Sequence, residues 1–247
     1  MAHALKVGIA MVVVSAGASM ASAQLSGSYY KLPNSVGGHT RHTDVQVGVD
    51  GARVAGLVEN ALGPNGLPIA TNFALTRAAG SGAIEDVNAN NEILWWTPGR
   101  AGNREVIFEK NQLDGANLNI TANFFPDGQT NNNTYFRAVH WQGTFELGAG
   151  ESGSVIMSIQ ADDDAWVFIN GQLALDDGGV KALNTAAPVF NAASLVAGSN
   201  TIDIFFADRH QSQSAIVFTS NLQIIPAPGA AALLGLGGLT LQRRRRR

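Results

Sequence analysis

The sequence predicts an all-β protein, a single antiparallel β-sandwich. Short apolar or alternating runs recur along the chain, separated by Gly, Asn, Asp and Pro, which is typical of strands joined by turns. In 201–206, Ile202, Ile204 and Phe206 fall on one face and their polar neighbours on the other, as period-2 geometry requires. The chain has 247 residues and is 45% hydrophobic, enough for a substantial core.

The clearest local element is a hairpin. Trp166–Ile169 reads as one strand and Gln172–Leu175 as the returning strand. Asn170 and Gly171 between them suit a type I′ turn, because both central positions of that turn need positive φ. By contrast, 78–92 and 127–134 are rich in Gly, Asn and acidic residues and are expected to be exposed loops.

The N-terminal 23 residues predict a secretory signal peptide. A basic Lys6 precedes an apolar run, and Ala21-Ser22-Ala23 closes it, so cleavage is expected before Gln24. The mature domain is expected at 24–225. Cysteine is absent from the chain, so an exported fold would have no disulfides and would rest on its core or on a metal.

The C-terminal segment 226–247 carries three features in order. They are a Pro-x-Pro motif, an uncharged apolar stretch of 13 residues from Gly229 to Leu241, and the arginines 243–247. A spanning helix needs ~20 residues, so this is a marginal anchor. The layout resembles the PEP-CTERM sorting signal, although Ala227 stands where the family name implies Glu. The resemblance implies processing by an exosortase, transient membrane contact through a short apolar helix, and delivery to the cell surface.

Charge separates the middle of the chain from its ends. Residues 24–225 hold ten of the 16 lysines and arginines and all 19 acidic residues, a net charge of −9. An acidic exported domain argues against nucleic acid as a partner. It fits a surface protein, or one that holds cations.

Three consecutive aspartates, Asp162, Asp163 and Asp164, separate two apolar runs. Two carboxylates about 4 Å apart repel by ~1 kcal/mol in water and ~4 kcal/mol at an effective dielectric of about 20. A solvated turn could absorb this cost, or a bound calcium ion, which takes 6–8 oxygen ligands, could turn it into attraction. From the residues alone both readings stay open. Asp176 and the residue after it close the hairpin and offer more oxygens nearby.

A second polar segment follows the strand 201–207. Asp208, Arg209 and His210 are expected to project from the end of that strand, either as a polar loop with an ion pair or as a loop beside the aspartates. In the second case Asp208 would bind a metal, and Arg209 or His210 would contact a ligand, because loops at one end of a sandwich commonly build a site. The adjacent tryptophans 95 and 96 are expected in the core.

The run "DDDAWVFINGQLALDDGGV", followed by "IDIFFADRHQSQSAIVFTSNL", closely resembles the fibro-slime domain. That resemblance covers about 25–225. Three positions depart from the family pattern: Asp177 is usually apolar, Asp208 is commonly Glu, and Lys181 is often His. The Lys181 change is expected to remove a polar contact near the site.

Fibro-slime domains in turn resemble the protective-antigen-type lectin module. That resemblance implies a β-sandwich of the lectin-like or jelly-roll type, in which an Asp-Asp pair joined by a cis peptide binds calcium, and calcium binds sugar hydroxyls. Aligned through "FINGQ", the pair falls on Asp162-Asp163. The predicted metal ligands and the predicted ligand-binding residues form two sets. The metal set is Asp162, Asp163, Asp164 and Asp208, and the ligand-binding set is Trp166, Asp176, Arg209 and His210.

The function expected is therefore an exported, surface-sorted binding module that adheres to polysaccharide through calcium. The alternative is an extracellular-matrix protein with a purely structural calcium site, and the third is a glycan-acting enzyme. Enzymatic templates largely fail, because the sequence holds no G-x-S-x-G, no cysteine nucleophile and no P-loop. We therefore expect no enzymatic activity.

Overall fold

A computed structural model describes residues 24–34, 40–78, 81–98, 107–114, 135–183, 186–211 and 213–222. The strands and the α-helix of these ranges are, in chain order, β1 (Gln24–Pro33), β2 (Val58–Leu62), β3 (Pro68–Ala70), α1 (Asn72–Leu75), β4 (Ile107–Asp114), β5 (Tyr135–Leu147), β6 (Met157–Asp162), β7 (Asp164–Ile169), β8 (Gln172–Asp177), β9 (Gly198–Ala207) and β10 (Ala215–Ser220). A 3₁₀ turn at Glu151–Ser154 precedes β6. All of them lie within one compact unit, Ser22–Ala227.

The described strands form two antiparallel sheets. Eight strands pair in the order β3-β2-β8-β7-β9-β5-β1-β4, and β10 pairs with β6 in the second sheet. A core cluster joins them, because Val139, Val167 and Ile204 of the large sheet are buried together with Ile159 and Phe218 of the small one. The predicted antiparallel β-sandwich is confirmed.

The large sheet is buried on its other face as well. A second cluster unites Trp166 and Phe205 of the sheet with Ile84, Trp95 and Trp96, which belong to the segment between β3 and β4. The adjacent tryptophans are therefore core residues, as predicted. Every residue of β7 is consequently buried, its odd-numbered members in one cluster and its even-numbered apolar members in the other.

The hairpin between β7 and β8 is also confirmed. Ile169 pairs with Gln172, and Asn170 and Gly171 have φ of 51° and 74°, the positive values that a type I′ turn requires. The hairpin leads the chain back toward the aspartates, since Ala165 pairs with Asp177 at its other end.

The predicted signal peptide 1–23 and sorting tail 226–247 lie outside the described residues. Within the described ranges, no helix has the length and apolar character that crossing a membrane requires.

Candidate metal and ligand site

The aspartate triplet and the segment after β9 meet at one end of the large sheet. β6 ends at Asp162 and β7 begins at Asp164, so Asp163 alone connects them, and the Asp162–Asp163 peptide bond is cis. Strand pairing sets Asp164 opposite Ala207, which immediately precedes Asp208. The expected convergence of the two segments is confirmed, and the cis bond is the one that the family resemblance implied.

Asp163 is held by main-chain donors from two loops. Its Oδ1 accepts from the N–H of Lys181 at 3.0 Å, and its Oδ2 accepts from the N–H of Arg209 at 2.6 Å. Burial raises the pKa of Asp163 well above its usual range, and the neighbouring charges of Asp164 and Asp162 add to the increase, although the Arg209 N–H opposes it. These bonds fix the carboxylate and leave its remaining lone pairs for a cation.

Asp162 is the most exposed carboxylate of the triplet, at 5%. The small sheet fixes its backbone opposite Ala215. Burial raises the pKa of Asp162, while a side-chain hydrogen bond with Asp163 and the charges of Lys181 and His210 oppose the increase. His210 is half-buried and stays a candidate for ligand contact beside this carboxylate.

The carboxylate of Asp164 is bound by partners within the protein. Its Oδ1 accepts from the N–H of Gly179, and its Oδ2 accepts from the Arg209 guanidinium at 3.3 Å, with both side chains fully buried. A charged partner already compensates this carboxylate. These contacts therefore do not support the predicted role of Asp164 as a metal ligand. The sequence did not reveal that Arg209 turns inward and pairs with this carboxylate.

Arg209 is a buried structural cation. Its side chain is 0% exposed and donates to the carbonyls of Asp44 at 2.8 Å, Gly82 at 3.2 Å and Ala83. Its guanidinium carbon also lies 4.9 Å from the centre of the Trp95 ring. The prediction that Arg209 contacts a ligand is wrong, since every one of these contacts is internal.

Trp166 and Asp176 form a second internal pair. Trp166 is 0% exposed, and its indole N–H donates to Asp176 Oδ1 at 3.0 Å. The carboxylate of Asp176 also accepts from the N–H groups of Gly56 at 2.7 Å and Gly178 at 3.3 Å. The prediction that Trp166 contacts a ligand is wrong because the tryptophan cluster buries it, and Asp176 instead ties the hairpin to the loop before β2.

Lys181 and Asp177 form a buried ion pair that spacing did not predict. The Lys181 ammonium donates to Asp177 Oδ2 at 3.1 Å and to the carbonyls of Ala161 at 2.8 Å and Asp163 at 2.7 Å. The expected loss of a polar contact at Lys181 is not observed, because the Lys181 ammonium makes these three hydrogen bonds. Asp177 Oδ2 also accepts from the Ala161 N–H at 2.8 Å.

Asp208 is the one site carboxylate for which neither oxygen has a hydrogen-bond partner among the described residues. It is 0% exposed, and its backbone N–H donates to the Arg137 carbonyl at 2.8 Å. Burial raises the pKa of Asp208 well above its usual range, and the charges of Asp163 and Asp162 add to the increase. Ser214 and Arg137 act in the opposite direction, but the Ser214 hydroxyl does not reach hydrogen-bonding geometry with Asp208.

The carboxylate of Asp208, unpartnered among the described residues, is the feature of this site that suits a cation with oxygen ligands. An unpaired buried carboxylate is costly, and the unpartnered oxygens of Asp208 lie within electrostatic range of Asp162 and Asp163. Among the described residues, however, no three His, Asp or Glu side chains converge at metal-ligand spacing. Calcium at this place would therefore draw on main-chain carbonyls or water as well as carboxylates, which are ligands it commonly takes.

Curated relatives match short stretches of the chain. Protein psiE of Dictyostelium discoideum is 34% identical over 71 residues, and protein psiH of the same organism is 39% identical over 64 residues. These matches cover 28% and 26% of this chain and only 14% and 9% of the two relatives. The chain thus spans a small part of the length of these proteins.

Two solved structures are similar at low scores. A PA14 sugar-binding domain from an RTX adhesin aligns with 83% of this chain and 96% of its own at 16% identity, with a TM-score of 0.33. A β-glucosidase from Kluyveromyces marxianus, solved with glucose, aligns with 81% of this chain and 28% of its own at 13% identity, with a TM-score of 0.32.

A family model matches the part of the chain that builds the site. The match spans residues 125–221, which include β5 to β10, the aspartate triplet and Asp208. The expected kinship with the protective-antigen type is thereby confirmed, while the finer resemblances to fibro-slime and PEP-CTERM stay predictions. Over residues 125–221 the chain matches the family model of the PA14 domain.

Proposed function

We propose that this protein is an exported, surface-sorted binding module that attaches to polysaccharide through a calcium ion. The observation that carries the proposal is the buried carboxylate of Asp208, which has no hydrogen-bond partner among the described residues and lies within electrostatic range of Asp162 and Asp163. The PA14 match over 125–221 supports a binding role rather than catalysis.

Asp162, Asp163 and Asp208 would hold the ion, and their side chains would have to move together on binding, because the described carboxylates do not converge at metal-ligand spacing. Asp164 is excluded from this set because Arg209 and the Gly179 N–H already satisfy it. When bound, calcium would supply a hard Lewis-acidic centre that accepts neutral oxygen ligands, and sugar hydroxyls are such ligands. The protein's part is to hold the Asp163 carboxylate through the main-chain N–H groups of Lys181 and Arg209. Strand pairing fixes the backbone of Asp162, and a hydrogen bond to the Arg137 carbonyl fixes that of Asp208.

Export and sorting complete the proposal. The signal peptide at 1–23 would direct the chain across the cytoplasmic membrane, and an exosortase-type enzyme would process the tail at 226–247. Contact with the membrane would be transient, through the short apolar segment of that tail. The acidic charge of 24–225 supports a cation-holding surface protein over a nucleic-acid partner.

A structural calcium site is the second candidate, and burial favours it. Asp163 and Asp208 are at most 1% exposed, and the tryptophan nearest in sequence, Trp166, is buried rather than offered for sugar stacking. In this case calcium would stiffen a matrix protein with no discrete sugar site. Asp162 and the half-buried His210 are the side chains through which a ligand would reach the ion in the leading proposal.

A glycan array probed with the full chain, in calcium and in chelator, separates the two. We compare the wild type with Asp208→Asn and with the matched control Asp203→Asn, which lies on the same strand about 16 Å away and binds His140 at 2.9 Å. We expect calcium-dependent glycan binding that Asp208→Asn abolishes and Asp203→Asn retains. Calcium binding without any glycan signal would favour the structural site, and absence of calcium binding by calorimetry would refute both.

A further inference from the structure

Lys181 places an ammonium inside the acidic cluster. Its side chain is fully buried, and its three hydrogen bonds reach the carbonyls of Ala161 and Asp163 and the carboxylate of Asp177. The two carbonyls flank Asp162 in sequence. The ammonium therefore contacts the main chain of the same loop whose carboxylates would hold calcium.

Strand pairing supports the path of the loop in addition to this ammonium. Strand pairing fixes Asp162 opposite Ala215 and Asp164 opposite Ala207, on either side of the connection. Removing the charge of Lys181 should consequently alter the electrostatics of the cluster more than its shape.

We propose that Lys181 is a built-in competing cation, which stabilises the metal-free loop and lowers the affinity of the loop for calcium. The inference rests on the proposed calcium site. Two cations in one poorly solvated cluster repel each other, so calcium must enter against the charge of Lys181. In the absence of calcium, the same charge compensates Asp177 and acts on Asp162. The site would then be weak and exchangeable on a domain that stays folded without metal.

The test titrates calcium chloride into the chelator-treated full chain and measures melting in calcium and in chelator. Lys181→Met removes the charge and the donors, while Lys181→Gln removes the charge and keeps an amide donor. Ile202→Ala is the control, because it creates a cavity in the core about 20 Å along β9 from Asp208. We expect both Lys181 variants to melt lower in chelator, to bind calcium about tenfold more tightly, and to gain more from calcium than the wild type. Ile202→Ala should melt lower by the same amount in both conditions, with unchanged affinity.

The outcomes are distinguishable. Unchanged or weaker calcium affinity in the Lys181 variants, or a loss of stability that is equal in calcium and chelator, would overturn the proposal. So would variants that stay unfolded in both conditions, since calcium would then not replace the lost charge. A wild type that binds no calcium would instead refute the proposed function, and this inference with it.

Discussion

Asp208→Asn should have opposite effects on stability in chelator and in calcium. The substitution keeps the shape of the side chain and removes the site carboxylate whose two oxygens find no hydrogen-bond partner in the part of the chain that the structure describes. In chelator, a buried charge that repels Asp162 and Asp163 is lost, and the new amide brings donors toward two carboxylates. In calcium, a proposed ligand is lost.

The expected magnitudes follow from this contrast. Relief of one unsatisfied buried carboxylate should raise the free energy of unfolding by about 1 kcal/mol in chelator. Calcium at a hundredfold excess over its dissociation constant adds ~2.7 kcal/mol to the wild type and nothing to the variant. In calcium the variant is then about 1.7 kcal/mol less stable than the wild type. A domain of this size shifts by roughly 2–4 °C for each kcal/mol, so the variant should melt about 2–4 °C higher in chelator and about 3–7 °C lower in calcium.

Differential scanning calorimetry of the full chain at neutral pH measures both differences. Asp203→Asn serves as the control because its carboxylate accepts a hydrogen bond from His140 and lies away from the cluster. A change of the same sign in both conditions would refute the reasoning, since Asp208 would then be either an ordinary structural carboxylate or irrelevant to calcium.

Three further predictions concern the internal contacts of the site. Asp164→Ala should lower the free energy of unfolding by about 3–5 kcal/mol in urea titrations, with or without calcium, because it leaves Arg209 buried without its carboxylate; wild-type stability would contradict this. Burial raises the folded-state pKa of Asp208. Its favourable contribution to the free energy of unfolding is therefore complete below the usual aspartate pKa and is lost as pH rises through the raised value. The chelated protein should therefore melt higher in mildly acidic than in neutral buffer, and calcium should remove that difference; a melting temperature independent of pH in chelator would count against it. Trp166→Phe should cost about 1–2 kcal/mol through the lost bond to Asp176 and leave glycan binding intact on an array, whereas selective loss of binding would restore Trp166 as a ligand contact.

The strands were predictable because their signals are local. Alternation in 201–206 assigns its apolar residues to one face whatever the rest of the chain does, and those residues lie in one core cluster. Asn170 and Gly171 specify the hairpin for a similar reason, since few other pairs accept two positive φ values. The triplet was located by residue type, and its cis bond was expected only through the family resemblance.

The direction of charged side chains was not predictable, because their partners are remote in sequence. Arg209 turns inward to carbonyls of Asp44, Gly82 and Ala83, more than 120 residues away. The segment 78–92 was expected to be an exposed loop, and this is wrong for its buried residues, among them Ala83, Ile84, Asp86 and Glu92. The buried carboxylate of Glu92 binds Asn65 and Asn88 and closes a turn from within. Residue type suggests exposure for such groups, and only tertiary hydrogen bonds reverse it.

The balance of buried charge around the triplet connects these observations. Among the described residues, five carboxylates and three cationic side chains are buried around the triplet, a formal charge of −2 when all are ionised: Asp162, Asp163, Asp164, Asp177 and Asp208 with Arg137, Lys181 and Arg209. Two species can compensate this excess, namely protons, which the raised pKa values of Asp163 and Asp208 favour, or one divalent cation. Protons and calcium should then compete for the same oxygens, because ligation requires the ionised carboxylates. Lys181 weakens the binding of both protons and calcium, because without its charge the excess negative charge would rise to −3 and both would bind more tightly.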